Sequence, residues 1–287
     1  MKKDIKIAVA SGKGGTGKTL VATNLAYLLS KNKKYQLFDC DVEAPDSIIF
    51  FPSAQKILEK NANIMIPEIN PDKCTYCGLC ADYCEFNAIV IVSQIKKAIV
   101  SEDLCHGCGL CSYICPVNAI TEKEKPIGKI TQFRINNLVI KEGRLNISES
   151  TPSPVIRSLK KEIEPDNPAI YDAPPGTSCS VIHTIHDVDF VILVAEASPF
   201  GFYDMKLSIE VFKKLNKKFG VIINKSGEYT DKIKEYLKQE NIKIFTEIPY
   251  DKEIAHLYSE GKLIVKELPH YKEKFMKLIT EIERMLQ

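Results

Sequence analysis

Apolar residues in this chain gather in short, nearly unbroken runs: Ile5 to Ala10, Tyr35 to Phe38, Ala169 to Tyr171, Phe190 to Val194 and Phe219 to Ile223, with a shorter strand in Lys243 to Asp251. Runs of this length, bounded by polar turns, predict strands buried on both faces. Between them the spacing changes to that of helices. Leu20 to Leu29 is one such stretch, and Pro152 to Glu164 is another, with Val155, Ile156, Leu159 and Ile163 in helical register. Pro269 to Gln287 places Tyr271, Phe275, Leu278, Ile279, Ile282 and Leu286 on one face, a pattern of core packing. Buried strands alternating with helices imply right-handed crossovers and an α/β, doubly wound, mostly parallel sheet. Ile130 to Ile140 alternates loosely, and Gly143 to Ile147 reads as a further hairpin strand.

From Pro71 to Thr121 this pattern breaks. Cys74, Cys77, Cys80 and Cys84 have C-x2-C-x2-C-x3-C spacing, and Cys105, Cys108, Cys111 and Cys115 repeat it, followed by Pro116. The halves match beyond the cysteines, with Cys-Gly-Leu-Cys and Asn-Ala-Ile in each. Three closely spaced thiolates suit three irons of a cubane, and the distant fourth comes from the other half. The spacing therefore predicts one [4Fe–4S] cluster on Cys74, Cys77, Cys80 and Cys115, and a second on Cys105, Cys108, Cys111 and Cys84. Structural zinc favours separated C-x2-C pairs instead. Glu85 stands where a proline usually follows the fourth cysteine. The expected organisation is a first part of the α/β domain at 1–69, a ferredoxin-type α+β insert at 70–122, and the second part of the α/β domain at 123–287.

The charge balance narrows the partners. With 39 basic and 37 acidic residues the formal net charge is +2, so no nucleic-acid or membrane-surface footprint is expected. No stretch approaches the length of a bilayer span. Ten cysteines without a secretory signal point to metal chemistry in a reducing, cytoplasmic setting.

The chemistry begins at Gly12-Lys13-Gly14-Gly15-Thr16-Gly17-Lys18-Thr19, set between the first strand and the first helix. In that context G-x-x-x-x-G-K-[ST] is a phosphate loop. Its glycines let the backbone wrap an anion, and the helix start aims N–H groups at phosphate oxygens. Lys18 is expected on the β- and γ-phosphates, and the Thr19 hydroxyl on Mg²⁺. Asp39, Asp41 and Asp172 end apolar strands, at the sheet edge where such folds bind ligands. Gly176 follows closely enough to offer its N–H to the γ-phosphate and sense hydrolysis.

These residues together resemble the MinD/ParA/nitrogenase iron-protein class of P-loop ATPases, and more closely its MinD-like members with an inserted ferredoxin domain. The residues carrying the likeness are Lys13 to Thr19, Asp39-Cys40-Asp41-Val42-Glu43-Ala44-Pro45, Asp172-Ala173-Pro174-Pro175-Gly176 and the cysteine repeat. The resemblance implies that Lys13 crosses a dimer interface to the partner's phosphates, so that ATP favours a homodimer. It implies that Asp41 positions the hydrolytic water, that Asp39 supports Mg²⁺ with Asp172 as a second acidic partner, and that Asp172 and Gly176 belong to a second switch. Asn224 and Pro249 resemble adenine-contacting positions. Cys179 lies where the nitrogenase iron protein has a ligand to a subunit-bridging cluster; a buried small residue is the alternative for it and for Cys40. The function expected is ATP-gated electron transfer to a redox partner. A metallocofactor assembly or carrier ATPase of Mrp type, with a client protein, is the alternative, and MinD-like spatial positioning ranks third.

Overall fold

The structure is a computed structural model that describes residues 5–286; the expected helix end at Gln287 lies outside the described residues. Its elements are β1 (Lys6–Ala10), α1 (Lys18–Leu29), β2 (Tyr35–Asp39), β3 (Gln55–Ile69), α2 (Leu79–Asp82), β4 (Ile89–Val92), β5 (Lys97–Val100), α3 (Leu110–Ile114), β6 (Ile120–Ile135), β7 (Leu138–Leu145), α4 (Ser153–Lys160), β8 (Ala169–Asp172), α5 (Cys179–Ile185), β9 (Phe190–Glu196), α6 (Pro199–Lys214), β10 (Phe219–Ser226), α7 (Thr230–Gln239), β11 (Ile244–Pro249), α8 (Lys252–Ser259), α9 (Ile264–Glu267) and α10 (Pro269–Leu286).

Among the described residues, one nine-stranded sheet has the order β11-β10-β9-β1-β8-β2-β7-β6-β3. From β11 to β7 every pairing is parallel, while β6 and β3 are antiparallel additions at one edge. The apolar runs occupy the central strands, where Val9, Leu37, Ile170, Ile192 and Ile222 are wholly buried. Helices cover both faces, so both faces of each central strand must be apolar. One core layer holds α1, α9 and α10, with Phe275, Leu278 and Ile282 of α10 packed into it. The α10 apolar stripe is therefore core. No described helix is long and apolar enough to cross a membrane.

The edge departs from the sequence expectation. The loosely alternating stretch from Ile130 and the separate strand from Gly143 are parts of one hairpin, β6 and β7, turning at Asn136 with φ 49°. β6 also begins well before its pattern suggested, at Ile120, and β3 had no legible pattern at all. Residues 55–61 of β3 are exposed and include Lys56, Glu59 and Lys60. Charges of this kind keep an edge strand from pairing with other chains. The pair β3 and β6 continues outward as an antiparallel arm, from Gln55 opposite Arg134 to Ile69 opposite Ile120. The cysteine-bearing unit, with α2, α3 and the separate β4–β5 hairpin, lies at its far end.

Candidate functional site

β1 ends in the phosphate loop, whose shape depends on residues without side chains. Gly15 and Gly17 have φ of 73° and 98°, in the left-handed region that other residues avoid. A Cβ on Gly12 would lie 2.3 Å from the Asp204 carbonyl oxygen of α6. Gly17 precedes the first turn of α1 with no side-chain cap, which leaves that turn's N–H groups open to an anion. The loop is also fastened from outside. Asn224 Nδ2 donates to the Thr16 carbonyl at 2.6 Å, and Lys225 Nζ to that of Gly15 at 2.9 Å. The Ser11 hydroxyl donates to the Lys13 carbonyl at 2.6 Å. Lys18 is buried at the base of the loop.

Two strand-end carboxylates, Asp39 and Asp172, and the loop carboxylate Asp41 sit beside this loop in different states. Asp39 is buried and already engaged, accepting from the N–H of Asp41 at 3.2 Å, of Asp46 at 3.0 Å and of Ser47 at 2.8 Å. Burial, followed by the charge of Asp172, holds its pKa well above the usual carboxylate range. It shapes the 39–47 loop and the 3-10 turn Ser47–Phe50 that follows. Asp172 is also fully buried, and burial raises its pKa to about 7 against the lowering effect of Thr19 and Lys18. Its Oδ2 accepts from the Ser47 hydroxyl at 3.3 Å, whereas Oδ1 has no partner. An unpartnered buried carboxylate oxygen next to the Thr19 hydroxyl and Lys18 fits a divalent cation. Asp41 is partly buried, its pKa raised by burial and opposed by Lys18.

Two expected residues are held by contacts that the sequence did not signal. Lys13 is paired with Glu196 of its own chain at 2.8 Å, and Lys225 reaches the same carboxylate at 3.9 Å. Gly176, at φ 92°, donates its N–H to the Ser11 carbonyl at 2.9 Å. Asn224 and Pro249 line a pocket of about 280 Å³ together with Gly17, Leu20, Ile254 and Tyr258. Tyr258 carries no sequence signal; its hydroxyl lies 3.3 Å from Asp46 Oδ2, tying α8 to the 39–47 loop. Cys40 is wholly buried and burial pushes its thiol pKa up, which is the behaviour of a core residue. Cys179 is exposed at the start of α5.

The eight repeat cysteines divide between two small pockets. One is lined by Cys74, Cys77, Cys80 and Cys115, the other by Cys84, Cys105, Cys108 and Cys111, and Cys80 lines this second pocket as well. Burial, then the nearness of Cys111, Cys74 and Cys77, raises the Cys80 thiol to about 11. Cys105 and Cys111 are raised chiefly by burial as well. Among the described residues no three His, Cys, Asp or Glu side chains close on a single metal ion. A four-iron cubane asks for something else, one thiolate per iron around the volume of the cluster. Tyr76 and Gly107 hold equivalent places in the two loops, both at positive φ, 57° and 65°.

A glycine-rich loop at the carboxyl edge of a parallel sheet, with a lysine inside it and acidic switches beside it, defines a nucleotide-binding P-loop protein. Residues 7–264 match the CobQ/CobB/MinD/ParA nucleotide-binding-domain family, CbiA. The chain belongs to that family of nucleotide-binding P-loop proteins. It is 33% identical to protein MJ0579 of Methanocaldococcus jannaschii over 269 residues, 93% of each chain. Protein MJ0578 of the same organism is 32% identical, over 98% of each chain. Among solved structures, the cell division ATPase MinD of Pyrococcus furiosus shares the fold with a TM-score of 0.58 at 19% identity, covering 99% of this chain and 100% of that one. The ATP complex of a single-substitution variant of Cyanothece McdA gives 0.60 at 17%, covering 99% and 98%. The Mg-ADP complex of MinD from Pyrococcus horikoshii gives 0.58 at 20%, covering 98% and 97%. These likenesses reach the ATPase and stop there; iron–sulfur chemistry is not carried by them.

Proposed function

We propose that this chain is an ATP-dependent dimeric switch whose insert holds two [4Fe–4S] clusters and passes electrons to a redox partner under nucleotide control. The observation that supports the insert's role is that Cys74, Cys77, Cys80 and Cys115 line one pocket, while Cys84, Cys105, Cys108 and Cys111 line a second that Cys80 also reaches, close to the partition expected from their spacing. Bound clusters would supply one-electron transfer at low potential. Eight thiolates leave no ligand position free for handing a cluster on, which favours electron transfer over the carrier role.

In the nucleotide site Lys18 neutralises the β- and γ-phosphates, while Thr19 and Asp172 hold Mg²⁺. Asp41 orients the attacking water from the half-buried switch loop, and Asp39 supports the cation indirectly by fixing that loop. Gly176 exchanges its Ser11 carbonyl for the γ-phosphate when ATP arrives. Asn224 and Pro249 cradle the base. Lys13, released from Glu196, reaches the phosphates of a second copy, so that ATP completes the site across a homodimer.

The decisive experiment is anaerobic purification followed by iron and sulfide analysis and a reductive titration with and without ATP. About eight irons per chain, and reoxidation by an acceptor protein that depends on ATP, are expected. Iron-free protein would refute the cluster reading. Clusters that transfer intact to an apo-protein in a Cys179-dependent manner would favour the carrier, the exposure of Cys179 being the observation on its side. The description of one similar structure as a cell division ATPase is the observation on the side of a MinD-like positioning role; the apolar face of α10 is packed into the core.

A further inference from the structure

The arm formed by β3 and β6 joins the insert to the ATPase, and it is fastened to the nucleotide switch at its root. The ladder shifts register between Ala62 and Asn63, opposite Gly128 and Pro126. Proline cannot donate to a ladder, so the arm has a local break there. β7 pairs with β6 only as far as Gly128 opposite Leu145, so the break lies where the arm leaves the main sheet.

That same point touches the 39–47 loop. Leu145 donates its N–H to the Val42 carbonyl at 2.8 Å, and Arg144 Nη2 approaches the Pro45 carbonyl at 3.4 Å. A Cβ on Gly143 would lie 2.8 Å from Val42 Cγ1, so the loop rests directly on β7. On its other side, Asn146 donates its N–H to the Ile127 carbonyl at 2.9 Å and its Nδ2 to that of Pro126 at 3.2 Å. One residue beyond, Lys125 bridges the two units. Its Nζ pairs with Glu149 at 2.8 Å, lies 3.4 Å from Asp103 Oδ1 and donates to the Glu102 carbonyl at 3.2 Å. Its side chain is only 13% exposed, so this pair is less screened than a surface one. Glu102 and Asp103 lead directly into Cys105. The second cysteine loop also lies against the arm, since a Cβ on Gly107 would lie 2.9 Å from the Met65 carbonyl oxygen. In the first loop Tyr76 stands at this position.

We propose that Val42, Leu145, Asn146, the break at Pro126–Gly128 and Lys125 form a strap that couples nucleotide binding to the placement of the second cysteine loop, Cys105 to Cys111. The first loop is held at the arm's tip instead, where Cys74 donates its N–H to the Asn70 carbonyl at 3.0 Å. The strap assigns a regulatory role to Lys125 and Glu149, neither of which lines the nucleotide pocket. It deepens the proposed function by naming the cysteine loop that nucleotide controls.

Hydrogen exchange of the full chain, with and without Mg²⁺ and a non-hydrolysable ATP analogue, tests it. Coupling of ordinary strength predicts about a fivefold change in exchange rate over residues 101–111 on nucleotide binding, with a smaller change over 71–80. Lys125→Ala abolishes the difference while nucleotide still binds. Glu149→Gln removes the same ion pair from the opposite side and serves if Lys125→Ala fails to fold. An unchanged exchange rate at 101–111 in nucleotide-saturated wild type overturns the strap, as does a response retained in both variants. Iron content measured on the same samples separates the two proposals. Iron-loaded protein without the response refutes the strap alone, and iron-free protein with it refutes the clusters alone.

Discussion

Gly17→Ala tests whether the phosphate loop is held ready by the strand beside it. The new Cβ would lie 2.3 Å from Asn224 Nδ2, at a backbone φ of 98°. The left-handed conformation costs a residue with a Cβ about 1–2 kcal/mol. Displacing Asn224 also removes its 2.6 Å hydrogen bond to the Thr16 carbonyl, worth about 0.5–1.5 kcal/mol. The free variant avoids both by letting the loop relax. Nucleotide binding must then restore the strained shape, so the cost of about 1.5–3.5 kcal/mol appears in affinity as a loss of roughly ten- to three-hundredfold. Calorimetric titration with Mg-ADP measures this directly. The same variant should lose most of the rise in Tm that saturating nucleotide gives the wild type. An affinity within about threefold of wild type would show that the loop is not preorganised in this way.

Asp172 makes the metal-free protein sensitive to pH. Its folded pKa of about 7 lies above the ordinary carboxylate value of 3.8, so the folded state holds the proton more tightly. The neutral form is favoured in the fold, and stability from this group falls as pH rises between those two values and is level above. Asp172→Asn should therefore match wild type near pH 4 and exceed it above pH 7 in chelator, while losing Mg²⁺-dependent nucleotide binding; parallel pH–Tm curves would refute this. Lys13→Ala should bind ATP as a monomer, with wild-type behaviour in light scattering as the contrary result. Phe275→Ala, which empties a wholly buried site in α10, should cost about 3–5 kcal/mol in denaturant unfolding. Cys84→Ser should remove about four irons, one cluster, and leave ATP affinity intact; loss of both clusters would contradict the assigned ligand sets.

Legibility from the sequence followed burial. Strands covered on both faces wrote themselves as apolar runs, which is why β1, β8, β9 and β10 were readable. The glycines and lysines of the loop and the cysteine spacing are demanded by local chemistry and were equally plain. β3 was illegible because one end faces solvent and the other serves as an arm, so no periodic burial marks it. Glu196, Ser47 and Tyr258 escaped for a related reason. Each reaches the site from a strand end, turn or helix distant in the chain, and a single glutamate, serine or tyrosine carries no spacing. The state of Asp39 could not be read either, because three backbone donors that occupy it are set by loop geometry.

The placement of the arm at the edge of the sheet bears on how the chain acquires its structure. β2 and β7 are hydrogen-bonded neighbours, yet the whole cysteine-bearing excursion separates them in sequence. Closing so long a loop costs only slightly more than closing a shorter one, because the entropy grows with the logarithm of length. The parallel strands and their helices bury their core without any side chain from the insert's far end. The nucleotide-binding domain can thus reach its native topology independently of the insert's far end, and a chain without the proposed clusters would still bind nucleotide.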